Sequence, residues 1–212
     1  MPRTQILELL LLAAAFGVVE AGIVVALRQF LDPAGSQFPL VAFPPALLRV
    51  EQAREAASLV LLVGAARLAA SGRVARWATF LVAFGAWDLV YYLVLRLVLG
   101  WPGRVTDWDL LFLLPVPWYG PVYAPLLVAA TMFCCGLVML YEIRCRGRFL
   151  IRSLHVAAVA AGALVITASF VAAGAGEVEG DRYWLGALAA GEAIGLIAFG
   201  HAWWQTRRTT VG

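Results

Sequence analysis

Charge is what this chain has least of, and lysine is missing altogether. Only 14% of its 212 residues are charged, and all 16 basic residues are arginine. A soluble domain carries about a quarter charged residues, so the scarcity excludes a hidden soluble domain. The net charge of +3 does not point to nucleic acid, because basic residues in an apolar chain chiefly set membrane orientation. Histidine is down to two residues and cysteine to three. No CxxC pair, CxxCH haem attachment, histidine box, DDxxD motif, GxSxG elbow or phosphate-binding P-loop occurs. The Glu-x-x-His pairs of di-metal bundles are absent too, and no internal repeat of the transporter kind stands out. The common membrane chemistries are thereby removed, and no metal or cofactor is assigned in their place.

What remains is greasy. Hydrophobic residues make up 63% of the chain and the mean hydropathy is +0.86. A helix needs about 20 mostly apolar residues to cross a bilayer, and six segments qualify: roughly 5–30, 50–70, 77–99, 122–142, 154–174 and 184–204. The first reads as a retained anchor rather than a signal peptide, since Glu8 interrupts it and the apolar run continues to Leu27. The expectation is a single integral-membrane domain over residues 1–212, an all-α polytopic bundle of six transmembrane helices.

Arginine placement supplies the topology. Arg3, the group Arg67, Arg73 and Arg76, the group Arg144, Arg146, Arg148 and Arg152, and Arg207 with Arg208 fall at alternate helix ends. By the positive-inside rule those ends and both termini are cytoplasmic. Asp32, Asp107, Asp109, Glu177, Glu179 and Asp181 then mark the outer loops. Between helices 3 and 4 stands DWDLLFLLPVPWYGPVYAP, whose four prolines deny it a continuous helix. It is too short to cross and return, so it is expected to form an interfacial or re-entrant cover. Asp107 or Asp109 would cap a short helix reaching Leu114, with Trp108, Asp109, Trp118 and Tyr119 forming a roof.

Ionisable residues inside spans are costly and mark function by default. Span one carries Glu20 and Arg28, and span six carries Glu192. Span two opens with Glu51, Arg54, Glu55 and Ser58 on one helical stripe. Span three aligns Asp88, Tyr92 and Arg96 at steps of four, with Trp87 and Tyr91 beside them. These groups fall in one half of the membrane, which predicts an outward-facing polar cavity under the roof. The alternative is a set of buried structural ion pairs, Arg54 with Glu20 and Arg96 with Asp88, which fix register and do no chemistry. An all-carboxylate metal site at Glu20, Glu51, Glu55 and Asp88 stays open. So does a bis-histidine site at His155 and His201, which share a depth. Ala187, Gly191 and Gly195 form a small-residue ridge on span six, facing span five or another membrane subunit.

Residues 84–125, with the pattern WD-x-x-YY … WD-x-LFL-x-P-x-PW-x-GP-x-x-AP, resemble a group of multi-pass bacterial membrane proteins of no assigned activity. The resemblance implies a bacterial membrane protein and draws attention to Asp88, Tyr91, Tyr92, Trp108 and Asp109. Three functions are in play. The first is an accessory or assembly subunit of a larger membrane complex, docked through helices 5 and 6. The second is an enzyme acting on a lipid or quinone-like molecule, with Asp88 or Glu55 as acid–base group, Arg54 and Arg96 holding an anionic group, and Tyr91 and Tyr92 donating hydrogen bonds. The third is a proton-coupled transporter.

Overall fold

A computed structural model describes residues 3–31, 44–174 and 183–209. The acidic positions Asp32, Glu177, Glu179 and Asp181 lie outside the described residues, as does the side chain of Arg3. Six helices follow one another: α1 (Arg3–Leu31), α2 (Pro45–Ala69), α3 (Arg73–Leu99), α4 (Tyr123–Arg146), α5 (Ser153–Gly174) and α6 (Leu185–Arg208). Five of them, all but α2, are long and apolar enough to cross a membrane. Glu51, Arg54, Glu55 and Arg67 interrupt the apolar run of α2 and keep it out of that group. Such an apolar helical bundle is consistent with a multi-pass membrane protein.

Local signals set several helix ends. Pro45 occupies the first turn of α2, where its missing N–H costs nothing. Gly100 and Gly147 end α3 and α4 at φ 68° and 73°, a left-handed conformation glycine takes without penalty. Their N–H groups close back on Arg96 O and Ile143 O.

α3 is the central helix, packed against α1, α2 and α4. Backbone closeness does much of this work. A Cβ on Gly85 would fall 2.5 Å from Ala129 O, and one on Gly136 would fall 2.8 Å from Ala78 O. α5 and α6 meet the same way, since a Cβ on Gly162 would lie 2.6 Å from Gly191 O. The span-six ridge is therefore used within the chain at Gly191. The main core joins Leu9, Ala13, Val82, Ala83, Met139, Leu140 and Ala202.

The Pro/Trp-rich segment corrects one expectation. There is no short helix through Leu114. Two strands, β1 (Trp108–Phe112) and β2 (Trp118–Pro121), pair antiparallel with a register shift between Leu110 and Phe112. Pro115 and Pro117 break any helix at that point, while a hairpin lets the two backbones satisfy each other, as apolar surroundings demand. The hairpin sits where α1, α3 and α5 finish and α2, α4 and α6 begin. It touches α2 through Gln52 and Glu55, α3 through Tyr92, and α5 through Phe170.

The opposite end is tied by a carboxylate that sequence reading did not single out. Glu142 is fully buried, and it accepts hydrogen bonds from Trp203 Nε1 (2.7 Å), Arg146 Nε (2.7 Å) and Arg207 Nε (2.9 Å). It joins α4 to α6. Its sequence signal was the Glu142–Arg146 step of four, which marks an ordinary helical pair.

Candidate functional site: a polar cavity under the hairpin

The polar residues of α2 recur every three or four positions, so they share one face, and that face is turned inward. Glu51, Glu55 and Ser58 are buried, whereas Val60, Leu61 and Leu68 on the other side are 70%, 59% and 92% exposed. Arg54 bridges two helices. Its guanidinium engages Glu20 of α1 through Nη1 and Glu51 through Nε at 2.8 Å. The Ser58 hydroxyl donates to the other Glu20 oxygen at 2.8 Å. The expected Arg54–Glu20 pair is present, and Glu51 completes it.

The next turn of α2 holds the hairpin. The Leu113 N–H donates to Glu55 Oε2 at 2.8 Å, and Gln52 Nε2 donates to Leu113 O at 3.1 Å. From α3, the Tyr92 hydroxyl donates to Asp109 Oδ2 at 2.9 Å. The Leu110 N–H also donates to Asp109 Oδ1 at 2.9 Å. Three backbone and side-chain contacts thus fasten the cover over the helix ends.

Between cover and helices lies a cavity of about 190 Å³. Its walls include Glu20, Arg28, Glu51, Arg54, Glu55, Asp88, Tyr91, Tyr92, Asp109 and Trp118, eight of the ten residues expected in the cavity together with two of the roof. Four of the fourteen candidates lie elsewhere. Arg96 does not pair with Asp88; it donates to Gly100 O (2.5 Å) and Pro102 O (2.7 Å), because the end of α3 offers carbonyls nearer than the acid two turns back. Glu192 faces Thr131 of α4 instead. Trp108 and Tyr119 point away from the cavity, Trp108 against the Tyr183 ring and Tyr119 against Gly174.

Asp88 is the exception among the acids. It lines the cavity, keeps part of its surface uncovered there, and has no hydrogen-bond or ion-pair partner among the described residues. Glu20, Glu51, Glu55 and Asp109 are all engaged. The cavity also gathers five carboxyl groups and two arginines, Arg28 and Arg54, and Arg54 is engaged through Nε and Nη1 by Glu51 and Glu20.

Asp109 lies in the hairpin, outside the helices. Burial pushes its carboxyl up to about 7, against the pull of the Tyr92 hydroxyl, the Leu110 N–H and the Arg28 charge. An unfolded aspartate titrates near ~4. Between about 4 and about 7 the folded protein holds a proton that the unfolded chain releases, so raising the pH through that window weakens the folded state. Thermal unfolding followed from pH 5 to pH 8 should show this loss in the wild type. Asp109→Asn should show a flatter profile; equal slopes would mean that Asp109 does not titrate there.

His155 and His201 do meet, with Nε2 and Nδ1 3.1 Å apart. The Arg152 N–H donates to His155 Nδ1 at 3.1 Å, so that His155 carries its proton on Nε2 and gives it to His201. Both facing nitrogens are spent on each other. Among the described residues no group of three His, Cys, Asp or Glu side chains is placed to hold a metal ion.

Sequence reasoning missed Gln52 and Phe170. Gln52 is an uncharged residue off the charged stripe, and Phe170, which stacks on Trp118 at 6.3 Å, is one apolar residue in an apolar span. Neither carries a local signal. No family model, curated protein or solved structure matches the chain.

Proposed function

We propose that this chain is a bacterial inner-membrane protein whose cavity under the hairpin receives the head of a membrane-soluble, lipid- or quinone-like molecule and exchanges a proton with it through Asp88. The observation that carries this reading is Asp88 itself, an unpartnered carboxylate on a cavity wall, beside the Tyr91 and Tyr92 rings that pack edge to face at 5.1 Å. Ionisable groups at such depth are expensive unless used. The cavity is below the ~300–1,000 Å³ that hold a whole drug-sized ligand, so it suits a head group whose tail leaves toward lipid past Val24 and Leu27 of α1. Asp88 serves as the acid–base group and the Tyr91 hydroxyl as a neighbouring hydrogen-bond donor. Arg54 is a structural bridge in this reading, not an anion clamp. The resemblance of residues 84–125 to multi-pass bacterial membrane proteins covers Asp88, Tyr91, Tyr92 and Asp109 together.

All six helices span in this reading, and both termini are cytoplasmic. The support for α2 is its division of faces: the charges are turned inward and the exposed side is Val60, Leu61 and Leu68, a surface that lipid covers at no cost. Single cysteines placed at Gln5 and at Thr209 in a cysteine-free background should react with impermeant reagent only after the inner face is opened. One placed at Gly103 should react from outside. Termini of opposite accessibility would mean that α2 does not cross.

A hydrophobic carbodiimide tests the site. Such reagents enter apolar cavities and couple to carboxyl groups that are within reach and not held by donors. Peptide mapping should find the label on Asp88 and leave Glu142, held by three donors, unmodified. Label on Glu142 with none on Asp88 would remove the basis for the proposal.

The accessory-subunit reading rests on the exposed side of α5, where Leu154 and Leu164 are both 70% exposed. Lipid accounts for that surface equally well, and Gly191 is already spent on α5. The transporter reading is disfavoured by buried Ala78 and Val82, which with Met139 and Leu140 form an apolar core between the cavity and the end held by Glu142.

A further inference from the structure

A second cavity lies at the other end of the bundle, where α2 turns into α3, and its charge is opposite to that of the first. It measures about 360 Å³ and is lined by Arg67, Arg73 and Arg76 with Trp77, Phe80 and Val63. No acid among the described residues contributes to it. Arg67 and Arg73 have no hydrogen-bond or ion-pair partner among the described residues. Arg76 spends its Nε on Ala70 O at 3.1 Å, which holds the guanidinium in place with its terminal nitrogens still available. Three positive charges on two helices thus converge on one space without a counter-charge.

The rest of the wall is apolar. Trp77 is 59% exposed and packs edge-on to Phe80 at 6.0 Å, and Val63 completes that side. An indole at the end of an apolar helix sits at the level of lipid head groups. A free inorganic anion would use the arginines and leave the aromatic side unused. A phospholipid uses both: its phosphate accepts from the guanidinium fork, and its acyl chain covers Trp77, Phe80 and Val63.

We infer that the α2–α3 corner is a binding site for an anionic phospholipid, with Arg67, Arg73 and Arg76 on the phosphate and Trp77 with Phe80 against the first part of the chain. The inference needs the chain to lie in a bilayer, and it is independent of what fills the cavity beneath the hairpin.

The test compares lipids retained by the full-length protein after solubilisation from vesicles of equimolar phosphatidylcholine and phosphatidylglycerol, read by native mass spectrometry. The wild type should retain phosphatidylglycerol in preference. Arg67→Gln/Arg73→Gln removes two arginines that hold no partner among the described residues, so its thermal midpoint in pure phosphatidylcholine should match the wild type. Its preference for phosphatidylglycerol should fall by roughly fivefold for each arginine removed. Arg144→Gln/Arg152→Gln removes the same charge elsewhere and should keep the preference. Equal retention of the two lipids by the wild type would overturn the inference. So would an equal loss in the Arg144/Arg152 control, which would reduce the effect to general surface charge. Stabilisation by inorganic phosphate alone in phosphatidylcholine vesicles, matching that by phosphatidylglycerol, would make the corner a phosphate site and overturn the lipid assignment.

Discussion

Asp88→Asn should leave the protein folded and abundant while abolishing proton exchange with whatever occupies the hairpin cavity. The substitution is nearly isosteric, and the carboxyl has no partner among the described residues to strand. Removing an unpartnered carboxylate from a low-dielectric site relieves a desolvation cost rather than creating one. The melting temperature should therefore hold or rise. A positioned acid–base group contributes about 10²–10⁴-fold to a rate, and a loss on that scale is expected in any turnover assay once the ligand is known. A purely structural Asp88 gives the opposite pattern, with stability falling and activity following abundance.

Arg54 has the converse signature. It stands between Glu20 and Glu51, whose side chains are 5% and 6% exposed. Arg54→Met removes the cation and leaves two carboxylates buried side by side. Breaking a buried ion pair from one side costs about 3–5 kcal/mol, much of it the penalty on the stranded charge. Unfolding by denaturing detergent should show a loss of this size, and adding Glu20→Gln should return part of it. The bridge also fixes α1 to α2 beside the cavity, so ligand binding should weaken with the fold rather than separately. If Arg54→Met keeps full stability while losing binding, then Arg54 is a ligand contact and its pairing with the two glutamates is incidental.

The helices were legible in the sequence because their apolar runs are long; their ends were less so, since α2 starts at Pro45, ahead of the expected 50, and α4 runs to Arg146 rather than 142. Gly100 and Gly147 end α3 and α4 where the runs fail, and Pro45 opens α2. The cavity was legible for a related reason. Glu51, Arg54 and Glu55 recur with the period of a helix, and so do Asp88 and Tyr92, which forces each set onto one face. Two apolar helices have only each other on which to close such faces. Arg96 continued the same stripe and still left the cavity, since the carbonyls of Gly100 and Pro102 lie within its reach and Asp88 is two turns away. Periodicity gives a face but not a depth.

The hairpin was harder to read. Its prolines exclude a helix across the turn, yet nothing local decides between a short capped helix and a strand for Trp108–Phe112. That choice was made by tertiary contacts, with Glu55 and Gln52 taking the N–H and C=O of Leu113 from a helix more than fifty residues earlier in the chain. Gln52 carries no pattern that could announce the role. Glu142 hid in the same way, because an i, i+4 pair with Arg146 is what any solvated helix shows, and only α6 brings Trp203 and Arg207 to it.

The most direct test of the cavity is an experimental structure of the wild-type protein in lipid nanodiscs, without added ligand, at a resolution that shows ordered non-protein density. The expected result is density beneath β1 and β2, within hydrogen-bonding distance of the Asp88 carboxyl, continuing as a tail past Val24 and Leu27, and absent from Asp88→Asn prepared in parallel. A closed, dry space in which Asp88 is paired with a neighbouring side chain would contradict the proposal and leave the buried charges as structural ion pairs.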